Sequence, residues 1–257
     1  RARPGGGAAA APGPPGPPVP VTLALDLLTV AEGIALTDVT AELTAAGPGL
    51  EGRFRARVND RARIEGQLVP VGGRTALRVQ ARDGGRVLRS SGIFQNAAGG
   101  EMDFTLLPTE RPGEFDGRLL LTDTRMRDTP VLAALLDAVS VVGIIDQLGG
   151  PGIAFSEVEA RFRLTPERVI LARSSAVGPS MGLSMDGYYD RATGRMDMQG
   201  VISPVYLLNV VGSVLTRKGE GLFGFSFRLR GTGEAPEVRV NPLSALTPGM
   251  FRELFRR

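Results

Sequence analysis

The sequence predicts a mostly β fold: a curled antiparallel β-meander forming a groove or open sandwich, with one central amphipathic helix and short C-terminal helices. Three observations carry that expectation. Apolar residues alternate at period two through most of the chain, as in strands with one apolar face. The alternating runs are separated by Gly, Pro, Asn and Asp clusters that suit hairpin turns. An eleven-residue phrase also occurs twice, as "GIALTDVTAEL" at 33–43 and "GIAFSEVEARF" at 152–162, each time opening a group of strands.

The first 18 residues are almost wholly Gly, Ala and Pro, have nothing to bury, and read as a linker. The chain therefore reads as the C-terminal part of a longer protein. From Val19 the texture changes. "VTLALDL" places Val21, Leu23, Leu25 and Leu27 on one face, and comparable runs follow at 33–43, 50–58, 62–70, 74–82, 86–95, 101–107 and 115–122. Turn signals stand between them at Gly47-Pro48-Gly49, Asn59-Asp60, Gly72-Gly73, Asp83-Gly84-Gly85 and Ala98-Gly99-Gly100.

The segment 129–148 breaks this pattern, because Val131, Leu132, Leu135, Leu136, Val139, Val142 and Ile145 recur at helical spacing. Asp128 or Thr129 suits the cap, Pro130 the first turn, and Gly149-Gly150 the stop. A second strand group begins with the repeated phrase and continues at 167–177, 181–189 and 194–203. After the apolar segment "PVYLLNVVGSVL", strands are expected at 221–231 and 236–241. One β domain thus spans 19–257, with strand groups 19–123 and 152–241 on either side of the helix.

Each strand of the second group divides into an apolar and a polar face. Phe223, Phe225, Phe227 and Leu229 alternate with Gly224, Ser226, Arg228 and Arg230; Leu183 and Met185 alternate with Ser184 and Asp186; Met196 and Met198 flank Asp197. In the repeated phrase, Ile34, Leu36, Val39, Ala41 and Leu43 correspond to Ile153, Phe155, Val158, Ala160 and Phe162. The step from Leu36 to Val39, or from Phe155 to Val158, is three rather than two, which implies a bulge or a change of face that bends the strand. At the C-terminus a short helix would set Met250, Phe251, Leu254 and Phe255 against Arg252, Arg256 and Arg257. Such a helix either lies in a lipid headgroup layer or caps the open end of the sheet.

Composition removes much chemistry. There is no His, no Cys and no Trp, and Lys218 is the single lysine. Zinc sites of the nitrogen and sulfur kind, haem ligation by His or Cys, and Ser-His-Asp or Cys-His arrangements are excluded. Paired acids such as Asp186 and Asp190 lack calcium-loop spacing and read as solvated strand and turn residues. No catalytic residue, cofactor or metal is expected. The 30 basic and 27 acidic residues are interspersed and leave +3, with no basic block, so nucleic acid is not an expected partner. The apolar stretches 131–145 and 201–215 are interrupted and fall short of the roughly 20 residues of a membrane span.

A sheet with one apolar face must cover that face or use it. Two readings follow: a closed sandwich in which the apolar residues are core, or a groove whose floor holds acyl chains. For the groove the candidate lining residues are Phe155, Val158, Phe162, Leu183, Met185, Met196, Met198, Phe223, Phe225 and Phe227. Phe251, Leu254, Phe255, Arg252 and Arg256 are the candidate membrane contacts. A glycan-acting β protein is a further reading, and it requires two carboxylates about 5–9 Å apart in a cleft.

Three phrases carry a resemblance: "LLLTDTRMRDTPVLAALLDAVSVVGIIDQLGGPGIAFSEVEARF", "GYYDRATGRMDMQGVISPVYLLN" and "EGLFGFSFRLRGTGEAPEVRVNPLSALTPGMFRELF". In order and spacing, over about 119–255, they resemble the C-terminal region of the bacterial AsmA-like family, the envelope proteins related to YhdP and TamB. The strand run at 19–118 agrees more loosely. The chain departs from the family after "LLN", where it reads "VVGSVLTRKGEG" in place of a segment that often ends near Pro. The resemblance implies a periplasmic protein of a Gram-negative bacterium, anchored in the inner membrane through an upstream segment. It also implies passive transfer of phospholipid between inner and outer membrane, with phospholipid, the membrane surface and the upstream part of the same protein as partners. The alternative within that frame is a non-transporting scaffold or regulator of outer-membrane assembly with a closed β core.

Overall fold

The computed structural model describes residues 18–46, 49–127, 129–138, 150–204 and 224–241. Residues 1–17 of the linker expected at 1–18, the segment following Pro204 and the residues expected to form C-terminal helices lie outside the described residues. The fold is one open antiparallel sheet in which sequence neighbours are spatial neighbours. Its first half is β1 (Val19–Ala31), β2 (Ile34–Ala46), β3 (Gly49–Val58), β4 (Ala62–Val71), β5 (Arg74–Ala81), helix α1 (Gly84–Ser90), the two-residue β6 (Ala97–Ala98), β7 (Glu101–Pro108) and β8 (Phe115–Met126). Helix α2 (Pro130–Ala138) follows, then β9 (Ile153–Leu164), β10 (Arg168–Val177), β11 (Met181–Asp190), β12 (Arg195–Pro204), β13 (Phe225–Thr232) and β14 (Pro236–Asn241). β1 and β14 are the two edges and do not meet, and β6 pairs with β8 outside the main path.

The repeated phrase becomes β2 and β9, each paired with the long strand before it. Gly33 and Gly152 enter these strands at φ +74° and +88°, a region that costs a residue with a Cβ. The three-residue step is a shared kink. Leu25 faces Val39 and Leu28 faces Leu36 in one pair; Leu121 faces Val158 and Thr124 faces Phe155 in the other. Both strands of each pair therefore change face at the same point, marked by Asp38 at φ 50° and Asp123 at φ 54°. Against β3, β2 also carries a register shift between Thr37 and Thr40, a bulge of the expected kind.

The strand expected at 86–95 is instead helix α1 and its C-terminal turn. Asp83 caps it, its Oδ1 accepting from the Arg86 amide at 2.9 Å. Val87 and Leu88 are both buried, and burial of consecutive residues belongs to a helix lying on the sheet rather than to an alternating strand. Helix α2 starts at Pro130 as expected, with the Ala133 amide donating to the Thr129 carbonyl at 2.9 Å, and its described part ends at Ala138.

Two buried clusters sit on the same face of the sheet. Under α1, Val87 and Leu88 pack with Ala56, Ile64, Met102 and Leu121. Under α2, Leu132, Leu135 and Leu136 pack with Phe155, Met181, Ile202, Phe227 and Leu229, and α2 also lies against β14. Met126 and Val158 join both clusters. Strands β8 to β14 laid flat would span roughly 29 Å at about 4.8 Å per strand, more than the ~10–12 Å width of a helix. One helix shares a cluster with residues from β9 to β14 only because the sheet curls around it.

Gly200 marks how closely the curled strands pack. A Cβ there would overlap the Ser184 carbonyl oxygen and crowd the Phe227 ring at 2.8 Å. Gly200→Ala is expected to lower stability by about 1–3 kcal/mol, read from the denaturation midpoint, because a backbone oxygen has little room to give.

Candidate functional site

Cross-strand register assigns most strand residues to a face, the kink residues Asp26, Asp38 and Asp123 having no register partner. One row runs Leu23, Ala41, Phe54, Gly66, Val79, Phe104, Leu119, Ala160, Ser174, Met185, Gly200, Phe227 and Val240 from edge to edge. The adjacent parallel row reads Leu68, Leu77, Leu106, Gly117, Phe162 and Leu171. Among the described residues, no strand position on this face is Asp, Glu, Lys or Arg. That is the defining feature of the site.

The helices cover only part of this floor. Toward the strand ends that carry α1 and α2 the side chains are buried, whereas Phe54, Leu77, Phe104, Leu119, Phe162 and Leu171 are half-buried, and no described helix lies over them. Glycines shape the floor between aromatic rings. A Cβ at Gly66 would run into the Phe54 ring and one at Gly117 into the Phe162 ring, so each ring lies across a position without a side chain. Over Gly117 the rings of Phe104 and Phe162 approach with centroids 6.1 Å apart and planes at 23°.

The opposite face carries the charge. The row beside Leu23 and Phe104 reads Thr22, Glu42, Arg53, Gln67, Arg78, Thr105, Arg118 and Arg161. Asp103 accepts from Arg78 Nε at 3.0 Å and from Gln80; Glu159 accepts from Arg118 Nε at 3.0 Å and Arg161 Nε at 3.2 Å. Asp197 receives Arg228 through Nε and Nη2, each at 3.0 Å, and Arg230 Nε at 3.2 Å. These arginines hold Asp103 and Asp197 below the usual carboxylate range, chiefly through the hydrogen bonds from Arg78 and Arg228. Partial burial would raise Glu159, but the bonds from Arg161 and Arg118 outweigh it and lower the group.

A carboxylate with a lowered pKa stabilises the fold fully above its unfolded value and loses that contribution as pH falls through the folded one. Thermal midpoints are therefore expected to be flat at pH 5–7 and to decline below about pH 4, the unfolded Asp and Glu range. Asp103→Asn should flatten part of that decline.

The sequence candidates divide in three. Val158, Phe162, Leu183, Met185, Met196 and Phe225 are half-buried floor residues. Phe155, Met198 and Phe227 are on the same face but buried at 3%, 8% and 4% exposure, as core shared with α2. Phe223 and the tail residues Phe251, Arg252, Leu254, Phe255 and Arg256 lie outside the described residues. The floor of the first half, from Phe54 to Leu119, was missed as a site although the same alternation marks it.

The paired acids Asp186 and Asp190 do not converge on a cleft. Asp186 accepts from Gln199 Nε2 at 3.1 Å, while Asp190 accepts from the Thr193 amide at 3.0 Å and hydroxyl at 2.8 Å in the β11–β12 turn. A separate open cleft of about 570 Å³ lies at the β8–β9 kink between Arg125 and Pro179, and Asp123 is the single carboxylate among its described lining residues. No cluster of three or more His, Cys, Asp or Glu with metal-holding geometry occurs among the described residues, and no described helix is long and apolar enough to cross a membrane. Comparisons with protein-family models, curated proteins and solved structures return no match.

Proposed function

We propose that this chain is a lipid-carrying β-trough: the C-terminal part of a periplasmic AsmA-like protein that passively transfers phospholipid between the inner and outer membranes. The observation that carries the reading is the charge-free face, continuous across the sheet, whose middle side chains are half-buried with no covering layer among the described residues. Acyl chains laid on that floor stay out of water, which is worth roughly 0.8 kcal/mol per CH₂, while headgroups remain in solvent at the open side. Sliding from Phe104 to Phe162 or Leu171 exchanges one apolar contact for another, so movement needs no chemical step. The family resemblance supplies the phospholipid, the periplasmic setting and the upstream inner-membrane anchor.

The scaffold reading, with a closed core, draws support from the burial under α1 and α2. The half-buried floor away from the helices weighs against it, because a closed core leaves such residues dry. The test is photo-crosslinking with a phospholipid bearing a photoactivatable acyl terminus. Labelling is expected on peptides containing Phe54, Phe104, Leu119 or Phe162. Label confined to polar-face residues, or none above the level of a denatured control, would overturn the proposal.

A further inference from the structure

The repeated phrase builds two kinks, and the chain furnishes them differently. By register, Leu25 and Leu28 of β1 match Leu121 and Thr124 of β8, and the pair Thr29–Ala35 matches the pair Arg125–Ala154. Counting between these positions, Asp123 and Arg125 stand where the first copy has Leu27 and Thr29. The first kink forms with no charge at either place, so Asp123 and Arg125 are not needed to build the second.

The turn beside each kink differs as well. At the first, the β3–β4 turn closes on the matching alanine: the Asn59 amide donates to the Ala35 carbonyl at 2.8 Å, and Asn59 Oδ1 accepts from the Ala35 amide at 2.8 Å. Charges nearby are paired, with Arg57 Nε 3.5 Å from Asp38. At the second, the β10–β11 turn sets Gly178 against Ala154, so closely that a Cβ would overlap the Ala154 carbonyl oxygen. No side chain enters from that position, and Gly178 and Pro179 form one wall of the cleft of about 570 Å³. Ser156 also lines it and donates its hydroxyl proton to the Val177 carbonyl at 2.9 Å, so toward a ligand that oxygen can only accept.

Asp123 and Arg125 thus line one cleft with opposite charges, both exposed, and neither bonds to the other or to any described residue. We propose that the cleft binds a small zwitterion, its oxyanion on the Arg125 guanidinium and its ammonium on the Asp123 carboxylate. A guanidinium offers paired N–H donors to a phosphate or carboxylate, and a carboxylate accepts the N–H groups of a primary ammonium. The volume lies within the roughly 300–1,000 Å³ of small-molecule sites. A singly charged ligand satisfies one of the two side chains; a zwitterion satisfies both. An ammonium joined to a phosphate occurs in a phospholipid headgroup and in free phosphoethanolamine alike, and the site does not depend on the trough carrying acyl chains.

Titration of the 257-residue chain with O-phosphoethanolamine, read from backbone amide NMR shifts, tests it. Saturable shifts are expected at Asp123, Arg125 and Gly178, with inorganic phosphate and ethanolamine each binding at least about tenfold more weakly, because each forgoes one charge-assisted contact. Asp123→Asn keeps a residue type that tolerates the φ of 54° and should reduce phosphoethanolamine to the affinity of phosphate; Arg125→Gln should reduce it to that of ethanolamine. The comparison of the probe with its two halves needs no variant. Sedimentation with phosphatidylethanolamine vesicles separates the sources. Retention that falls in Arg125→Gln assigns the site to a lipid headgroup, whereas retention indifferent to Arg125→Gln, with phosphoethanolamine still bound by the unaltered chain, assigns it to the free zwitterion. No saturation in the millimolar range, shifts confined to other residues, or phosphate alone binding as tightly as phosphoethanolamine would overturn the proposal.

Discussion

Leu136→Ala is expected to lower the stability of the protein by about 2–5 kcal/mol, the cost of removing a fully buried leucine whose neighbours cannot close the space. Leu136 is at 0% exposure and Leu135 at 1%, both on the face of α2 that meets Phe155, Met181, Ile202 and Leu229. Those partners come from β9, β11, β12 and β13, so the cavity would open where the curl of the second strand group is fixed. Urea denaturation of the variant and the wild-type chain gives the number directly. A loss below about 1 kcal/mol would mean that α2 does not hold the sheet and that the curl is maintained by the strands alone.

The second large effect separates the two faces by one residue. Phe104→Asp puts a carboxylate on the floor beside Val79, Leu119 and the Phe162 ring, where no described charge stands. Thr105→Asp puts the same group on the outer face between Arg78 and Arg118, which have the charge to receive it. Phospholipid occupancy is expected to fall at least tenfold in Phe104→Asp, about 1.4 kcal/mol or more, because an ionised group in the acyl path must keep its water. Thr105→Asp should bind as the unaltered chain does. Since Phe104 is only half-buried, the variant retains solvent for its carboxylate, and circular dichroism checks that both proteins remain folded.

Much of this architecture is written locally. Period-two alternation names the floor residues of nearly every strand, and the repeated phrase places its own kink, because a step of three in an otherwise alternating strand has to change face. Pro130 in the first turn, after Asp128 or Thr129 as candidate cap, locates the start of α2 for similar reasons. Helix α1 was hidden because "RVLRSSGIF" offers apolar residues at spacings compatible with either period, and only the Asp83 cap and the paired burial of Val87 and Leu88 decide it. Which floor residues are core and which are open is a tertiary matter. Met198 and Met185 look alike in sequence, yet the first is buried in the α2 cluster and the second is only half-buried beside it. The difference arises from the path of a helix some 50 residues earlier in the chain. The contrast between the two sheet edges, the long β1 and the short β14, is likewise invisible until strand order is known, although the single charge of β1, Asp26, is plain from its residues.

The central claim is that the uncharged floor holds acyl chains. Native mass spectrometry of the 257-residue chain purified in mild detergent, followed by lipid extraction of the same sample, tests it most directly. The account predicts stoichiometric phospholipid on the folded protein, displaced when excess detergent occupies the trough. A folded chain that carries no lipid and takes up none from added phospholipid would contradict it and leave the closed-core scaffold as the reading.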